Sequence, residues 1–292
     1  MDPILQTTNL TKTYTNNKGA FNINITLNKG EIVGFLGPNG AGKTTTIRTI
    51  LGFANLTGGS YKLFGEQITT LEDLQKVIEQ IGFLPGEPTF PTSLTVKEIL
   101  NYSASLSQNF DKQYFDHLIQ SFEIDLNKKF GRLSLGNKKK VAIVNALQHK
   151  PKLLILDEPT NSLDPIMQNK VLKELTELKK TGSTIFFSSH VLSEVEKITD
   201  RIILIKDGKI LMEGDTKKVL NGDSKKIRIE FGKESKKLRN IFKKGITQND
   251  NGDYIILTSD VKKDVTTLFE NDITDFYIEH PTLEDIFMKY YE

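Results

Sequence analysis

The sequence predicts an α/β fold followed by a second, smaller α+β domain, and three observations lead to this. Strand-like and helix-like segments alternate along most of the 292 residues, an order that pairs parallel strands with covering helices. A glycine-rich loop, GPNGAGKT (37–44), lies between a predicted strand and a predicted helix. The alternation breaks near NGDS (221–224), and a separate strand–helix pattern follows.

Short strands are predicted at the start of the chain. AFNINITLNKG (20–30) has apolar residues at every second position, and EIVGFLG (31–37) is a short apolar run, so each predicts a strand. The next predicted elements are a helix at 44–53, a strand at 60–65, a short helix at 71–80 and a strand at 81–85.

The segment from about 86 to 150 predicts mostly helix, as an insert in the alternating chain. Ser93 and Asp111 are candidate N-caps of two of its helices. After Pro151 the alternation resumes: a strand at 152–159, a helix at 165–182 with Pro165 in its first turn, a strand at 183–190, a helix at 191–199 and a hairpin at 201–214 turned by Asp207 and Gly208.

The break predicts a domain boundary, with a first domain at 1–222 and a small C-terminal domain at 223–292. The second domain is predicted to alternate strand and helix, with strands at 225–231, 253–259 and 273–280 and helices at 233–242, 261–270 and 282–291. This pattern is typical of a small α+β domain.

Composition excludes several classes of protein. The 39 basic and 37 acidic residues nearly balance, which argues against a general nucleic-acid binder. The sequence contains no cysteine, so disulfides and thiolate metal sites are excluded. The longest apolar runs, such as LLIL (153–156), are far shorter than the ~20 residues of a spanning helix. The N-terminal segment lacks the apolar stretch of a secretory signal.

The glycine-rich loop predicts a nucleotide site. GPNGAGKT fits the pattern G-x-x-x-x-G-K-[ST], in which glycines let backbone N–H groups surround the β- and γ-phosphates and the next helix points its N-terminus at them. Lys43 would neutralise phosphate charge, and the Thr44 hydroxyl would ligate Mg²⁺. A glycine-rich turn that matches by chance is the weaker alternative.

Two later strand ends predict catalytic groups. In KLLILDEP (152–159), Asp157 would hold the water shell of Mg²⁺, and Glu158 would polarise a water for attack on the γ-phosphate. His190 ends STIFFSSH (183–190), where a γ-phosphate contact is expected. The alternative for His190 is an ordinary polar residue at a strand end.

Together these motifs resemble the ATP-binding subunits of ABC transporters over residues 1 to about 220. GPNGAGKTT resembles the Walker A loop of that family, LLILDE its Walker B strand, NSLD (161–164) its D-loop and SSH its H-loop, and LSLGN (133–137) is similar to its LSGGQ signature. The resemblance implies a P-loop NTPase core of the ABC ATPase type, in which a RecA-like parallel sheet carries an antiparallel β subdomain and a helical insert.

The resemblance also implies which residues contact ATP. Tyr14 would stack on adenine, and Asp164 would belong to the ATP site through the D-loop. Ser134 and Gly136 would contact the γ-phosphate of ATP held by the other protomer of a head-to-tail dimer, although Leu135 replaces a signature glycine. The implied loop residues are Gly37, Pro38, Asn39, Gly40, Ala41, Gly42, Lys43, Thr44 and Thr45.

One position departs from the family pattern. Gly86 stands where the family has a glutamine that touches Mg²⁺ and relays to the membrane partner, and Glu87 is the candidate replacement for it as a metal ligand. A second local feature, the basic run 138–140, is interpreted as solvated lysines on a helix surface in preference to a nucleic-acid patch.

The predicted function is therefore the ATP-hydrolysing subunit of an exporter. Separate membrane permease subunits are expected to hold it at the cytoplasmic face of the cell membrane. The tail HPTLEDIFMKYYE (280–292) resembles exporter ATPases of the drug, antibiotic and peptide resistance branch, whose substrates include drugs, amphipathic peptides, lipids and ions. Either a homodimer or a heterodimer of ATPase subunits is possible. The alternative is a soluble ABC-type ATPase without a permease, acting as a regulatory or resistance factor.

Overall fold

The computed structural model of the chain describes residues 3–15, 18–107, 110–222, 225–230, 238, 241–242, 246–248, 252–271 and 273–291. The chain divides into two compact units, Met1–Gly214 and Asp215–Glu292. This division precedes the boundary that the sequence predicts after residue 222, since the short helix α8 (Thr216–Leu220) falls in the second unit.

The first unit contains a six-stranded sheet that is parallel apart from one edge. Four parallel pairings join five of its strands, and the sixth is added through the predicted hairpin. Asp207 and Gly208 turn that hairpin with φ angles of 50° and 75°, as a type I′ turn requires. In spatial order the strands are β11 (Lys209–Asp215), β10 (Arg201–Lys206), β4 (Ile32–Leu36), β9 (Thr184–Ser189), β8 (Leu153–Asp157) and β7 (Ile81–Leu84).

An antiparallel sheet forms the other β layer of this unit. The predicted strand at 20–30 is divided in two, and the long strand at the start of the chain was not predicted. That strand carries a buried threonine, Thr7, whose hydroxyl donates to the carbonyl of Ile23 and accepts from the N–H of Ile25, both at 2.8 Å. The strands are β1 (Pro3–Thr13), β2 (Gly19–Ile23), β3 (Thr26–Asn28), β5 (Gly58–Leu63) and β6 (Glu66–Ile68).

The predicted helical insert lies between β7 and β8 and consists of α3 (Val96–Ser105), α4 (Lys112–Ser121) and α5 (Leu135–Leu147). Ser93 is not the cap of α3. Thr95 is the cap, since its hydroxyl accepts from the N–H of Glu98 at 3.2 Å and the Glu98 carboxylate accepts from the N–H of Thr95 at 2.7 Å, a capping box. The predicted cap of α4, Asp111, is confirmed.

Four further helices pack beside the sheets of the first unit: α1 (Lys43–Ile50), α2 (Leu71–Gln75), α6 (Pro165–Lys180) and α7 (Leu192–Ile198). The predicted helix at 71–80 is too long, because α2 ends at Gln75 and a 3₁₀ turn, Ile78–Gln80, follows. Pro165 opens α6, as predicted. Within the described ranges, no helix is both long enough and apolar enough to cross a bilayer.

The second unit confirms the predicted α+β class. In the described part of this unit, four strands form an antiparallel sheet in the order β13 (Ile246–Gln248), β14 (Tyr254–Thr258), β12 (Lys225–Ile229), β15 (Tyr277–Glu279), over a core that includes Ile227, Ile256 and Leu268. Most of the helix predicted at 233–242 lies outside the described residues. The elements after α8 are β12 (Lys225–Ile229), β13 (Ile246–Gln248), β14 (Tyr254–Thr258), α9 (Val261–Glu270), β15 (Tyr277–Glu279) and α10 (Leu283–Tyr291).

Candidate nucleotide-binding site

The candidate site forms at the carboxyl ends of three neighbouring strands. Parallel pairing sets Leu36 of β4 opposite Ser189 of β9, and Asp157 of β8 opposite Ser188 of β9. Segments that follow parallel strands meet at one edge of a sheet, the usual ligand site of α/β folds. The glycine-rich loop, the Asp157–Glu158 pair and His190 therefore come together although they are far apart in sequence.

The glycine-rich loop ends where α1 begins. Gly42 is the N-cap of that helix with φ 107° and makes no side-chain capping bond; a side chain would be strained at this φ. The N–H groups of the first turn of a helix suit an anion. Lys43 is buried, and its ammonium donates to the carbonyls of Gly37 at 2.6 Å and Pro38 at 3.2 Å.

Asp157 is a buried carboxylate with two hydroxyl partners. One oxygen accepts from the Thr44 hydroxyl at 2.8 Å, and the other accepts from the Ser188 hydroxyl at 2.5 Å. The bond to Thr44 joins the glycine-rich loop to the end of β8. Sequence reasoning missed Ser188, and only the pairing of β8 with β9 shows that it lies opposite Asp157.

Glu158 has an unusual backbone and three side-chain partners. Its φ is 52°, a left-handed conformation uncommon outside glycine, and its N–H donates to the carbonyl and hydroxyl of Ser188 at 3.2 and 3.0 Å. One carboxylate oxygen lies 2.6 Å from Nδ1 of His190 and accepts from the Asn161 amide at 3.1 Å. The other lies 3.3 Å from the Lys43 ammonium.

These groups line one cleft of about 340 Å³. A larger groove of about 920 Å³ elsewhere in the first unit contains none of the predicted site residues. Tyr14, Ser134, Gly136 and Asp164 are not among the residues that line the smaller cleft. Its lining residues are 38–45, Gly86, Glu87, Asp157, Glu158, Asn161 and His190.

The oxygen ligands at the cleft suit a hard cation. Magnesium is commonly held by one or two protein oxygens together with phosphates and waters, and the Thr44 hydroxyl and Asp157 carboxylate are oxygen donors of this kind, 2.8 Å apart. Glu87 is exposed at the same cleft. Among the residues that the structure describes, no group of three or more His, Cys, Asp or Glu is arranged to hold a metal ion.

The signature segment is exposed away from that cleft. Ser134 is exposed and is the N-cap of α5, with its hydroxyl accepting from the N–H of Asn137 at 3.4 Å. Gly136 lies close to the D-loop of the same chain, since a Cβ there would be 3.0 Å from the carbonyl oxygen of Ser162. The start of α5 therefore lies against the D-loop and faces outward.

Tyr14 and Asp164 have partners of other kinds. The Tyr14 ring is 41% exposed, and the Lys12 ammonium lies 5.3 Å from its centroid. The Asp164 carboxylate caps α6 by accepting from the N–H groups of Ile166 and Met167, both at 3.0 Å. Neither contact tests the ATP role that the resemblance implies for these residues.

The basic run at 138–140 differs from its sequence interpretation at one position. Lys139 is 2% exposed, so the interpretation as solvated surface lysines is wrong for this residue. The sequence contains a signal for the burial of Lys139. This residue precedes the buried residues Ala142 and Ile143 by three and four positions, the spacing that puts residues on one helix face.

Comparison with known proteins agrees with this geometry. The profile of the ABC transporter family matches residues 20–161. The bacitracin transport ATP-binding protein BcrA of Bacillus licheniformis is 40% identical over 216 residues, which cover 73% of this chain and 70% of BcrA. YhaQ of Bacillus subtilis, an uncharacterized ABC transporter ATP-binding protein, is 30% identical over 298 aligned positions and 96% of both chains.

The fold has close counterparts among solved structures. The dimeric ATP-binding cassette MJ0796, in a post-hydrolysis state bound to ADP and Pi, matches with a TM-score of 0.66 at 25% identity, covering 73% of this chain and 98% of the cassette.

Proposed function

This chain belongs to the ABC transporter family and is an ATP-binding subunit that hydrolyses ATP, and we propose that it drives export by closing head to tail on a second ATPase subunit. One observation supports the head-to-tail dimer. Lys43, Glu158 and His190 share a cleft, whereas the exposed Ser134 is not among the residues that line this cleft. In a head-to-tail pair, each Ser134 would face the γ-phosphate of ATP held by the partner. The first turn of the 13-residue α5 adds the positive end of its dipole.

Hydrolysis is assigned to the cluster around Glu158. The phosphates of ATP compete with the Glu158 carboxylate for the Lys43 ammonium, which lies 3.3 Å from it. Once Lys43 pairs with phosphate, Glu158 is the base that accepts a proton from the attacking water. His190 and Asn161 hold the opposite carboxylate oxygen, so the base keeps one orientation while the water is deprotonated.

We assign the Mg²⁺ of this reaction to Thr44 and Asp157. The Thr44 hydroxyl would ligate the ion and the Asp157 carboxylate would hold its water shell, with Glu87 as a further candidate oxygen from the loop after β7. When bound, the ion supplies positive charge that offsets the charge of the phosphoryl oxygens. Ser188 keeps the Asp157 carboxylate oriented through its 2.5 Å hydrogen bond.

The transport role is inferred from relatives. The name of BcrA refers to bacitracin transport, which supports an exported drug, antimicrobial or amphipathic peptide, with lipids and ions as further classes. We propose that separate permease subunits hold the protein at the cytoplasmic face of the membrane. Residues 1–222 are proposed as the ATP-binding domain and 223–292 as an accessory domain, and the similarity to YhaQ extends over both.

A mixing experiment tests the head-to-tail dimer. Glu158→Gln removes the base, Ser134→Arg blocks the signature, and each variant alone is expected to be inactive. A mixed dimer has one complete site, with Glu158 from one subunit and Ser134 from the other. Equal mixing should restore about a quarter of wild-type activity, because half of randomly paired dimers are mixed and each has one intact site. Activity that stays at the level of the separate variants rejects the shared site.

A second experiment tests the permease and the substrate. The protein is co-expressed and purified with candidate membrane permease subunits, and its ATPase activity is measured in lipid vesicles with bacitracin, with a membrane-active cationic peptide or with neither. Stimulation by one peptide supports peptide export. Stable co-purification without stimulation by either peptide supports the association with permease subunits but rejects a peptide as the substrate.

A further inference from the structure

Lys139 is a buried cation that the assigned reaction does not use. It lies on α5, five positions after Ser134, and is among the largest fully buried side chains of the described residues. Its ammonium donates to the carbonyl of Gly86 at 3.0 Å, with the carbonyls of Pro85 at 3.4 Å and Asp157 at 3.5 Å also within reach. A buried charge is retained at a cost unless partners compensate it, and these three carbonyls match the three donors of an ammonium.

The charges around Lys139 come from the candidate site. Burial lowers the pKa of the Lys139 ammonium to about 8, although the carboxylates of Asp157 and Glu158 act in the opposite direction.

The contacts of Lys139 join three segments that have separate roles in the proposed function. α5 begins with Ser134, which would contact the partner's ATP. The loop after β7 contains Gly86 and Glu87, which line the same cleft as Lys43. The end of β8 carries Asp157 and Glu158. Because Lys139 holds backbone carbonyls of the last two segments, a shift of α5 displaces both.

We propose that Lys139 is a positioning residue that transmits the contact between Ser134 and the partner's ATP to the Asp157–Glu158 pair of its own subunit. This inference rests on the proposed function of Ser134. The carbonyl of Gly86 accepts the shortest of the three hydrogen bonds from the Lys139 ammonium. The lysine thus ties the loop to the signature helix through the loop's backbone.

A purely structural lysine is the competing explanation, and a double-mutant cycle separates the two. Lys139→Met keeps an unbranched side chain that is one atom shorter and removes the donors, and Ser134→Ala removes the signature hydroxyl. Transmission through Lys139 predicts that Ser134→Ala lowers kcat about tenfold in the wild type but less than about twofold in the Lys139→Met background. A structural lysine predicts the same factor in both backgrounds.

The matched control is Lys140→Met, the same substitution at the next position of α5. Lys140→Met alone should leave kcat unchanged, and its effect should be additive with Ser134→Ala within about twofold.

The affinity of each variant for ATP, measured by titration, should stay within about threefold of wild type, because Lys139 does not line the cleft. Thermal unfolding of each variant shows whether it is folded. If Lys139→Met does not fold, Lys139→Gln replaces it, since the shorter amide keeps a polar group but ends before the carbonyls.

The outcomes separate this inference from the proposed function. If Ser134→Ala does not change kcat, the proposed contact between Ser134 and the partner's ATP is rejected, and the proposed transmission through Lys139 is rejected as well. If Ser134→Ala lowers kcat by the same factor with and without Lys139, the signature contact stands and the transmission through Lys139 is overturned.

Discussion

Nδ1 of His190 lies 2.6 Å from one carboxylate oxygen of Glu158, while the Lys43 ammonium lies 3.3 Å from the other. A single carboxylate therefore lies between the ammonium at the end of the glycine-rich loop and the histidine that directly follows β9. This arrangement explains why three residues that are distant in sequence are expected to act as one unit.

Replacing Glu158 by glutamine should separate ATP binding from hydrolysis. The amide keeps the size of the side chain and a partner for His190 but does not accept a proton from water. ATP affinity should be retained, and phosphate release should fall by on the order of a hundredfold or more, the usual contribution of a positioned base. The control is Glu177→Gln on α6, whose side chain is exposed. Near-normal turnover by Glu158→Gln rejects Glu158 as the base.

His190→Ala should lower kcat more than it raises KM. The imidazole orients the Glu158 carboxylate, so its loss leaves the base in place but less well aligned, and we expect a fall of about ten- to a hundredfold. Steady-state kinetics over a range of ATP concentrations measures both constants. His280→Ala in the second unit, where His280 lies 3.2 Å from the Lys225 ammonium, is the matched control. Equal kinetics for the two histidine variants would mean that the contact with Glu158 is not used.

The sequence predicted the parts of the fold in which local and global signals agree. The loop 37–44 has its glycines, its lysine and a flanking strand and helix in one short segment. Asp207 and Gly208 turn the hairpin because both residue types accept a positive φ. Such elements carry their own structural information, so one sequence is sufficient to find them.

The missed features depend on pairing between distant segments. β1 is rich in threonine and includes a register shift between Leu10 and Lys12 in its pairing with β2, so its sequence does not show a simple alternation. The buried hydroxyl of Thr7 is satisfied by the carbonyl of Ile23 and the N–H of Ile25, which lie on another segment of the sheet. The role of Ser188 likewise depends on its register opposite Asp157.

The replacement of the family glutamine can be tested by substitution at two adjacent residues. Glu87→Ala should lower ATPase activity about tenfold if Glu87 supplies the missing oxygen near the metal. Gly86→Gln should be tolerated, because a Cβ at Gly86 would lie 3.5 Å from Oδ2 of Asp157, an ordinary contact. The double variant Gly86→Gln, Glu87→Ala should then recover much of the lost activity. Full activity of Glu87→Ala, with normal stimulation by the permease, shows that Glu87 has no such role.

The stability of the first unit should depend on pH through Glu194 on α7. This side chain is 5% exposed, and burial raises the pKa of its carboxyl even though the Thr160 hydroxyl, Lys197 and His190 act to lower it and Glu158 raises it further.

Because the pKa is raised, the folded chain keeps a proton at a pH where the unfolded chain has already released it. The stability that this group contributes is therefore present at low pH and is lost as the pH rises through the raised pKa. Glu194→Gln removes this loss, and its amide oxygen can still accept from the Thr160 hydroxyl, which now donates to Glu194 at 2.6 Å. Denaturant unfolding followed by circular dichroism should therefore show the smallest gain in stability for Glu194→Gln below about pH 4, where the carboxyl is protonated in both states, and a gain that grows towards neutral pH.

Thr160→Val should have the opposite effect, because it removes a hydrogen bond that favours the ionised form. A gain for Glu194→Gln that is the same at acid and neutral pH would mean that the carboxyl ionises as readily in the folded chain as in the unfolded one.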